Sequence, residues 1–573
     1  MKTTLLFTSL ILFTTCTFSQ VRFVSKTGSS TPPYTSWATA SDSIQKCINI
    51  SNYGDTIVVA NGVYKETVLF KQGITLLGSG IDSCIIDTRE IKTPDIHIRA
   101  VKIQSDCSLK GFYIVVNTPD SGIAIFGESL ENVLIENNKI TDAASGIYPG
   151  DSDILIKNNI FSDVQRAVFL ESSTRGRVQV IAENMMNVSM YGVHISFGTK
   201  PIIRNNIIHV HNPSHYGSGY AGGGSDTAKV FNNLIIVDEE VYGISCSMVP
   251  TLIYNNLLIG SFWYRAINAG NYNVIKNNVI INSPRGIVAE AGHNPLIQYN
   301  NVWNVDQKYA GFTPDSTNLS VEPMMVDEGK SDFHLQMFSP LIDKGDPNIL
   351  DKDGSRSDIG LFGGPYGESY TYQDLAPKPP RNLTALLDSN AITLNWLKNT
   401  EADFYQYRVY RDTLPDFILD SLKRISLTTD TTFTELIQNT PAKAYYYKIT
   451  AVDNQFNQSP ASEEAAVIIT GVEKEIKLSA NDYKLYANYP NPFNPSTTIS
   501  YRLKEKGNVK LTVYDIRGEL ITKLVNEEKE AGYYEMEYRP ENLASGAYLI
   551  VIEVIGENKI PLFIDAKKMI LLK

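Results

Sequence analysis

The chain has 573 residues, of which 43% are hydrophobic and 20% charged, and its formal net charge is −11. That length exceeds a single core and implies two to four domains, while the apolar and charged fractions are those of a folded chain. An acidic surface repels phosphate backbones, so nucleic acid is not expected as a partner, and a uronate-bearing polysaccharide would need a local basic patch or a bound cation.

Residues 1–20 read as a signal peptide: Lys2 supplies the positive start, and residues 5–13 form an apolar run too short to span a bilayer. Cys16 follows Phe13-Thr14-Thr15, a poor lipobox, and cleavage is expected near Ser19–Gln20. No later segment is long and apolar enough for a transmembrane span. Residues 41–50 carry Ile44, Cys47 and Ile48 on one helical face, which suits a short helix covering the open end of a stacked sheet. Short strands are expected at residues 55–59, 62–64 and 74–78. Cys47, Cys84, Cys107 and Cys246 are too sparse for a disulfide framework. Cys84 and Cys107 stand one repeat apart, so they are expected to stack in neighbouring coils, as a disulfide or as two free thiols.

From Asn137 onward one phrase recurs: two asparagines, a variable residue, then an apolar one. It appears at Asn137, Asn158, Asn205, Asn232, Asn255, Asn277 and Asn300, with a degenerate copy at Glu183-Asn184, at intervals of 21, 25, 22, 27, 23, 22 and 23 residues. A period in this range marks a repeat architecture. Each unit has a short alternating run before the pair, as in Ile154-Leu155-Ile156, and a second run after it. A Gly-Ile type step follows, at Gly146-Ile147, Gly192-Val193, Gly243-Ile244 and Gly286-Ile287. No unit has room for a crossover helix. One unit cannot bury its apolar face alone, whereas stacking units about 4.8 Å apart pairs each strand with its copies above and below. Asparagine tolerates the left-handed backbone of a sharp corner, and its amide can bond to the same amide on the next rung. The pairs therefore read as structural.

The strand after each Gly-Ile step is expected to project Tyr148, Glu171, His194, Ser245, Asn268 and Glu290, rung by rung. The longest interval holds His209, His211 and His215, then Tyr216, Gly222-Gly223-Gly224 and Asp226, and Trp263, Tyr264 and Arg265 lie nearby. Long insertions on solenoids often line the binding face. On this basis the candidate catalytic residues are Glu171, His194 and Asp226, and the candidate sugar contacts are Tyr148, His215, Tyr264, Arg265, Asn268 and Glu290. The competing reading is a solvated sheet face with a loose loop. Three histidines within seven residues suit a metal, but no acidic or cysteine partner at ligand spacing accompanies them. Asp351, Asp353 and Asp358 around Gly354 suggest calcium, yet the glycine falls fourth and Phe362 twelfth, unlike an EF-hand loop, and turn-forming aspartates are the competing reading.

The phrase Gly54-Asp55-Thr56-Ile57-Val58-Val59 with Gly62-Val63-Tyr64, the asparagine repeat, and the closing Ser339-Pro340-Leu341-Ile342-Asp343 with Asp353-Gly354 and Asp358-Ile359-Gly360 together resemble the right-handed parallel β-helix superfamily that contains pectate lyases, over residues 21–365. The resemblance implies a groove for an extended polymer and either a lyase or a two-carboxylate hydrolase. Polygalacturonase-type signatures and the Arg-x-Pro-x-x-Arg phrase of pectate lyases are absent.

Residues 377–380 are a Pro-rich linker. Residues 376–470 then show alternating runs with Trp396 and Tyr445 placed as in a fibronectin type III domain, which they resemble. Residues 483–573 open on Tyr489-Pro490-Asn491-Pro492-Phe493-Asn494-Pro495, continue through Gly518, Gly532 and Ser545-Gly546-Ala547-Tyr548, and end on Lys567-Lys568-Met569-Ile570. This segment is similar over its whole length to the type A C-terminal sorting domain of type IX secretion substrates. Pro490, Asn491, Pro492, Gly546, Lys567 and Lys568 would then be sorting-signal residues read by the export machinery. The expected fold class is all-β: a right-handed parallel β-helix followed by two small β-sandwiches. The expected function is a secreted or outer-membrane-attached protein that engages extracellular polysaccharide and cleaves it as a lyase or hydrolase. The alternative is a non-catalytic adhesion or surface-structural protein.

Overall fold

The computed structural model describes residues 19–91, 98–171, 177–196, 200–211, 217–223, 227–238, 241–246, 249–260, 265–437, 444–469, 483–540, 543–556 and 561–572. All but the last two residues of the expected signal peptide lie outside these. The chain divides into two compact units, residues 1–300 with 304–316 and residues 301–303 with 317–573.

The first unit is a parallel β-helix with three strand-bearing faces per coil. The first face holds twelve parallel strands, from Val21–Val24 to Leu296–Gln298. The second face follows each asparagine, and the third follows each glycine step. Long strands such as Lys139–Tyr148, Ile160–Leu170 and Met185–Ile195 run through both, which joins the two faces in one hydrogen-bonded path. On the first face Ile135, Ile156, Ile181, Ile203, Val230, Ile253, Ile275 and Ile297 stand in one register, all buried. β-Branched side chains are stiff and pack well on a pleated surface, so this alternating pattern yields strands. At the N-terminal end the helix Ile44–Ile50 buries Ile44, Cys47 and Ile48, and Ser43 caps it. The Glu66 carboxylate also accepts from the Ile44 and Gln45 N–H groups at 2.9 Å.

The two asparagines of each pair divide the work. The first has left-handed backbone, with φ of 55° at Asn137, 54° at Asn158 and 56° at Asn205. The second is buried and forms a ladder. Asn138, Asn159, Asn184, Asn206, Asn233, Asn256, Asn278 and Asn300 are linked by Nδ2 to Oδ1 bonds of 2.9–3.1 Å. Glu183 takes the left-handed position of the degenerate copy at φ 58°. The last copy differs from expectation by one residue: Tyr299 holds the left-handed position and Asn300 is the ladder residue, so the final interval is 22.

The glycine step has a steric cause. Gly146, Ala167, Gly192, Gly219, Gly243 and Ala266 share one register column beside the buried stack of Ile147 and Val168. A Cβ on Gly192 would stand 2.5 Å from Ile208 Cγ2 and 2.6 Å from the Gly219 carbonyl oxygen. The expected stacking of Cys84 and Cys107 does not occur. Cys84 opens a second-face strand in register with Gly62, whereas Cys107 precedes a first-face strand, and all four cysteines described are free and buried.

In the second unit Met325–Asp327 pairs antiparallel with Asp332–Leu335. Residues 384–468 form two antiparallel sheets, one of three strands and one of four, around a core in which Trp396 meets Tyr407 edge to face at 5.2 Å. Tyr445 is half-buried beneath the Arg411 guanidinium. Residues 484–571 form a second pair of antiparallel sheets, of three and four strands. Phe493 anchors the Pro-rich opening in that core, and its N–H donates to the Ile570 carbonyl at 2.8 Å.

Candidate functional site

The third face of the β-helix carries an outward column beside the buried Ile147, Val168, Val193, Tyr220, Ile244 and Ile267. In register it runs Phe126, Tyr148, Phe169, His194, Ala221, Ser245, Asn268 and Val288. Phe169 and Val288 therefore stand where Glu171 and Glu290 were expected. The two glutamates lie two residues further along, just past the strands that end at Leu170 and Ala289.

The first four members are aromatic and in contact. Phe126 meets Tyr148 edge to face at 5.6 Å, Tyr148 meets Phe169 at 4.9 Å, and Phe169 meets His194 at 5.0 Å. Tyr191 stacks on His194 at 4.5 Å. Arg99 lies over the Phe126 ring at 3.9 Å and Arg166 over Phe169 at 5.5 Å. The Tyr148 hydroxyl donates to the Glu171 carboxylate. Burial and that carboxylate push the Tyr148 phenol up to about 12. Burial, with the Arg166 charge, pulls His194 down to about 4, so the ring is neutral near pH 7, and its buried Nδ1 has no hydrogen-bond partner. Arg166 Nε is likewise buried and unpartnered.

A second cluster lies further along the same face. Arg265 donates to Asn268 Oδ1 at 2.5 Å and lies 3.6 Å from the Glu290 carboxylate, and Asn268 Nδ2 donates to Glu290 at 3.5 Å. Glu171 and Glu290 belong to rungs five strand spacings apart, or about 24 Å. That is far beyond the roughly 5–9.5 Å of a glycosidase carboxylate pair. His215, Tyr264 and Asp226 lie outside the described residues. Sequence reasoning missed Phe126, Phe169, Tyr191, Arg99 and Arg166. The alternation of Phe169 and Glu171 around buried Leu170 was the available signal.

The aspartates of the closing segment line a cavity of about 60 Å³ with Phe362, Tyr370 and Tyr372. Asp351 accepts from the Gly364 and Asp358 N–H groups, and Asp358 accepts from Asp343 N–H at 2.9 Å and the Tyr372 hydroxyl at 2.8 Å. Asp353 accepts from Ser355 N–H at 2.9 Å. Each of the three thus serves as a turn acceptor, and among the described residues no group of three or more His, Cys, Asp and Glu is placed to hold a metal ion. Burial pushes Asp358 up to about 6.

Of the residues expected to form a sorting signal, Asn491, Gly546, Lys567 and Lys568 lie on or beside the final strand, Pro561–Leu571. Asn491 Nδ2 donates to the Lys568 carbonyl at 2.9 Å, and Ile570 N–H donates back to Asn491 Oδ1 at 2.8 Å. The Pro490 carbonyl accepts from Thr497, Gly546 pairs with Leu571, and Lys567 lies 3.1 Å from Asp565. Pro492 is exposed.

These features define a parallel β-helix joined to small antiparallel β domains, the last of which is closed by its own Pro-rich opening. Residues 36–208 match the family model of the right-handed beta helix region, and residues 487–564 match that of the secretion system C-terminal sorting domain. The sorting domain makes the protein a type IX secretion substrate, secreted or attached at the cell surface. Among the described residues no helix is long and apolar enough to cross a membrane. No curated protein matches the chain. Among solved structures, XylC in complex with xylose is 12% identical over 62% of this chain and 99% of that one, with a TM-score of 0.43. A pectate lyase is 16% identical over 60% and 96%, with a TM-score of 0.35. An Fn3-like protein from Clostridium thermocellum is 29% identical over 17% and 99%, with a TM-score of 0.14.

Proposed function

We propose that this surface-displayed β-helix binds an extended extracellular polysaccharide along its third face, as an adhesion or capture protein. The observation that carries this is the contacting run of half-buried rings Tyr148, Phe169 and His194, with Phe126 buried under Arg99 at its end. Aromatic faces stack on sugar rings, and a repeat of about 4.8 Å per rung presents them as a linear track. Arg166 and the Arg265, Asn268 and Glu290 cluster supply polar groups beside the track, and local positive charge there offsets the acidic surface for an anionic glycan. Residues 376–470 serve in this reading as a fibronectin type III spacer. The roughly 24 Å between Glu171 and Glu290 favours binding over hydrolysis by that pair.

The test is retention of the full chain on a panel of neutral and acidic glycans, with release of reducing ends and unsaturated products monitored in parallel. Phe169→Ala should weaken retention about two- to twelve-fold, the equivalent of one stacking contact. Equal retention by Phe169→Ala and the parent chain refutes the track. Product release would transfer the site to the catalytic reading.

A further inference from the structure

The first face of the β-helix turns aliphatic side chains outward as well as inward. On its strands Val133–Glu136, Ile154–Lys157, Thr251–Tyr254 and Asn273–Lys276, the residues Leu134, Leu155, Leu252 and Val274 precede the buried Ile135, Ile156, Ile253 and Ile275 and so point to the outer side. They belong to one register column that runs over eight coils, from Leu134 and Leu155 through Ile202 to Val274 and Leu296, and every member is aliphatic except Lys229. The column is half-buried along its length, and Lys229 and Leu296 are exposed. On the three preceding coils the same column holds Thr56, Thr75 and Ser108, so the aliphatic strip has a definite edge.

Parallel strands that read as continuous apolar runs are ordinarily covered on both faces. At about 4.8 Å per rung, the strip from Leu134 to Leu296 is about 34 Å long, and a four-residue strand makes it about 13 Å wide. A contiguous apolar strip of this size on a folded chain often marks an interaction site.

We propose that the first face is a self-association surface, on which a second copy of this chain packs its own first face in a two-fold dimer. Sheets packed in this way lie about 10 Å apart. The charges select the orientation. A two-fold axis parallel to the stack of coils brings Lys229 onto its own copy. A two-fold axis parallel to the strands reverses the stack instead. Centred on Ile202, it sets Leu155 against Leu252 and Lys229 against Val180. In the bordering column, two residues further along each strand, the same axis sets Glu136 against Lys276. The facing area is about 440 Å² on each copy. That falls in the low range for protein interfaces, so the dimer is weak and concentration-dependent. The contact does not use the third face and is independent of the glycan track.

The experiment is sedimentation velocity of the full chain over about a hundredfold range of concentration. The chain should pass from monomer toward dimer as concentration rises. Leu155→Glu and Leu252→Glu should each weaken association about tenfold or more, whereas Lys229→Leu should strengthen it. Glu136→Lys should weaken it, and adding Lys276→Glu should restore it. Thermal unfolding checks that each variant folds, and Leu155→Ser replaces Leu155→Glu if the latter does not. A monomer at every concentration overturns the proposal, as does a dimer that neither Leu155→Glu nor Leu252→Glu weakens. A dimer that the charge swap fails to restore overturns the reversed orientation.

Discussion

Replacing Asn159 with alanine removes as many as four hydrogen bonds at one buried point, since its two N–H protons are shared among three acceptors. Its Nδ2 donates to the Ile135 and Lys157 carbonyls at 3.0 Å and to Asn184 Oδ1 at 3.1 Å, while its Oδ1 accepts from Asn138 N–H and Asn138 Nδ2 at 3.0 Å. At about 1 kcal/mol net for each of the four, the loss is about 4 kcal/mol. Partners left dry raise it, and water entering the gap lowers it. The neighbouring Asn158 is exposed and contributes its left-handed backbone, which glycine adopts at no steric cost, so Asn158→Gly should change stability by less than about 0.5 kcal/mol. Urea unfolding followed by circular dichroism measures both, compared at unchanged slope. Solenoids can unfold in segments, so hydrogen exchange at the Asn138 and Asn159 amides reports the local effect. A cost for Asn159→Ala no larger than that of Asn158→Gly would refute the ladder as the source of stability at this corner.

Gly192→Ala should cost about 1–3 kcal/mol, because its Cβ would press on the Gly219 carbonyl and Ile208; calorimetry checks this. Asp358 has a folded-state pKa of about 6 against 3.8, so the folded chain keeps a proton that the unfolded chain releases. Stability should fall as pH rises from about 4 to 6, and Asp358→Asn should flatten that slope in unfolding measured against pH. For His194 the sign is opposite. The unfolded chain takes up a proton below 6.5 and the folded chain only near 4, so stability present above 6.5 is lost as pH falls between the two. Proton NMR of His194 should show no titration between pH 5.5 and 8. Asn491→Ala removes its two bonds to the final strand, and hydrogen exchange at Ile570 should quicken while the β-helix amides are unchanged.

The asparagine pairs were legible because two physical demands, a left-handed corner and a self-complementary amide, fall on the same residue type at adjacent positions. The glycine step was legible for a similar reason, since the column admits only glycine or alanine. The outward column was only partly legible. Tyr148, His194, Ser245 and Asn268 follow from a fixed offset after the step, and Phe169 and Val288 fall at that same offset, whereas Glu171 and Glu290 lie two residues beyond it. The contact of His209 with Asp238 depends on the pairing of Val210 with Val237, which no local pattern announces. The roles of Asp351 and Asp358 were ambiguous for another reason: a carboxylate that accepts N–H groups and one that holds a cation look alike in a list of letters.

Ladder residues are separated by 21, 25, 22, 27, 23, 22 and 22 positions, yet their amides stay in bonding contact throughout. The row acts as a spine that holds its spacing while the chain between successive vertebrae grows or shrinks. Insertions and deletions are therefore absorbed at the rim of a coil, without renegotiating the stack above or below. A molecule built this way can change what it displays to the outside world one coil at a time.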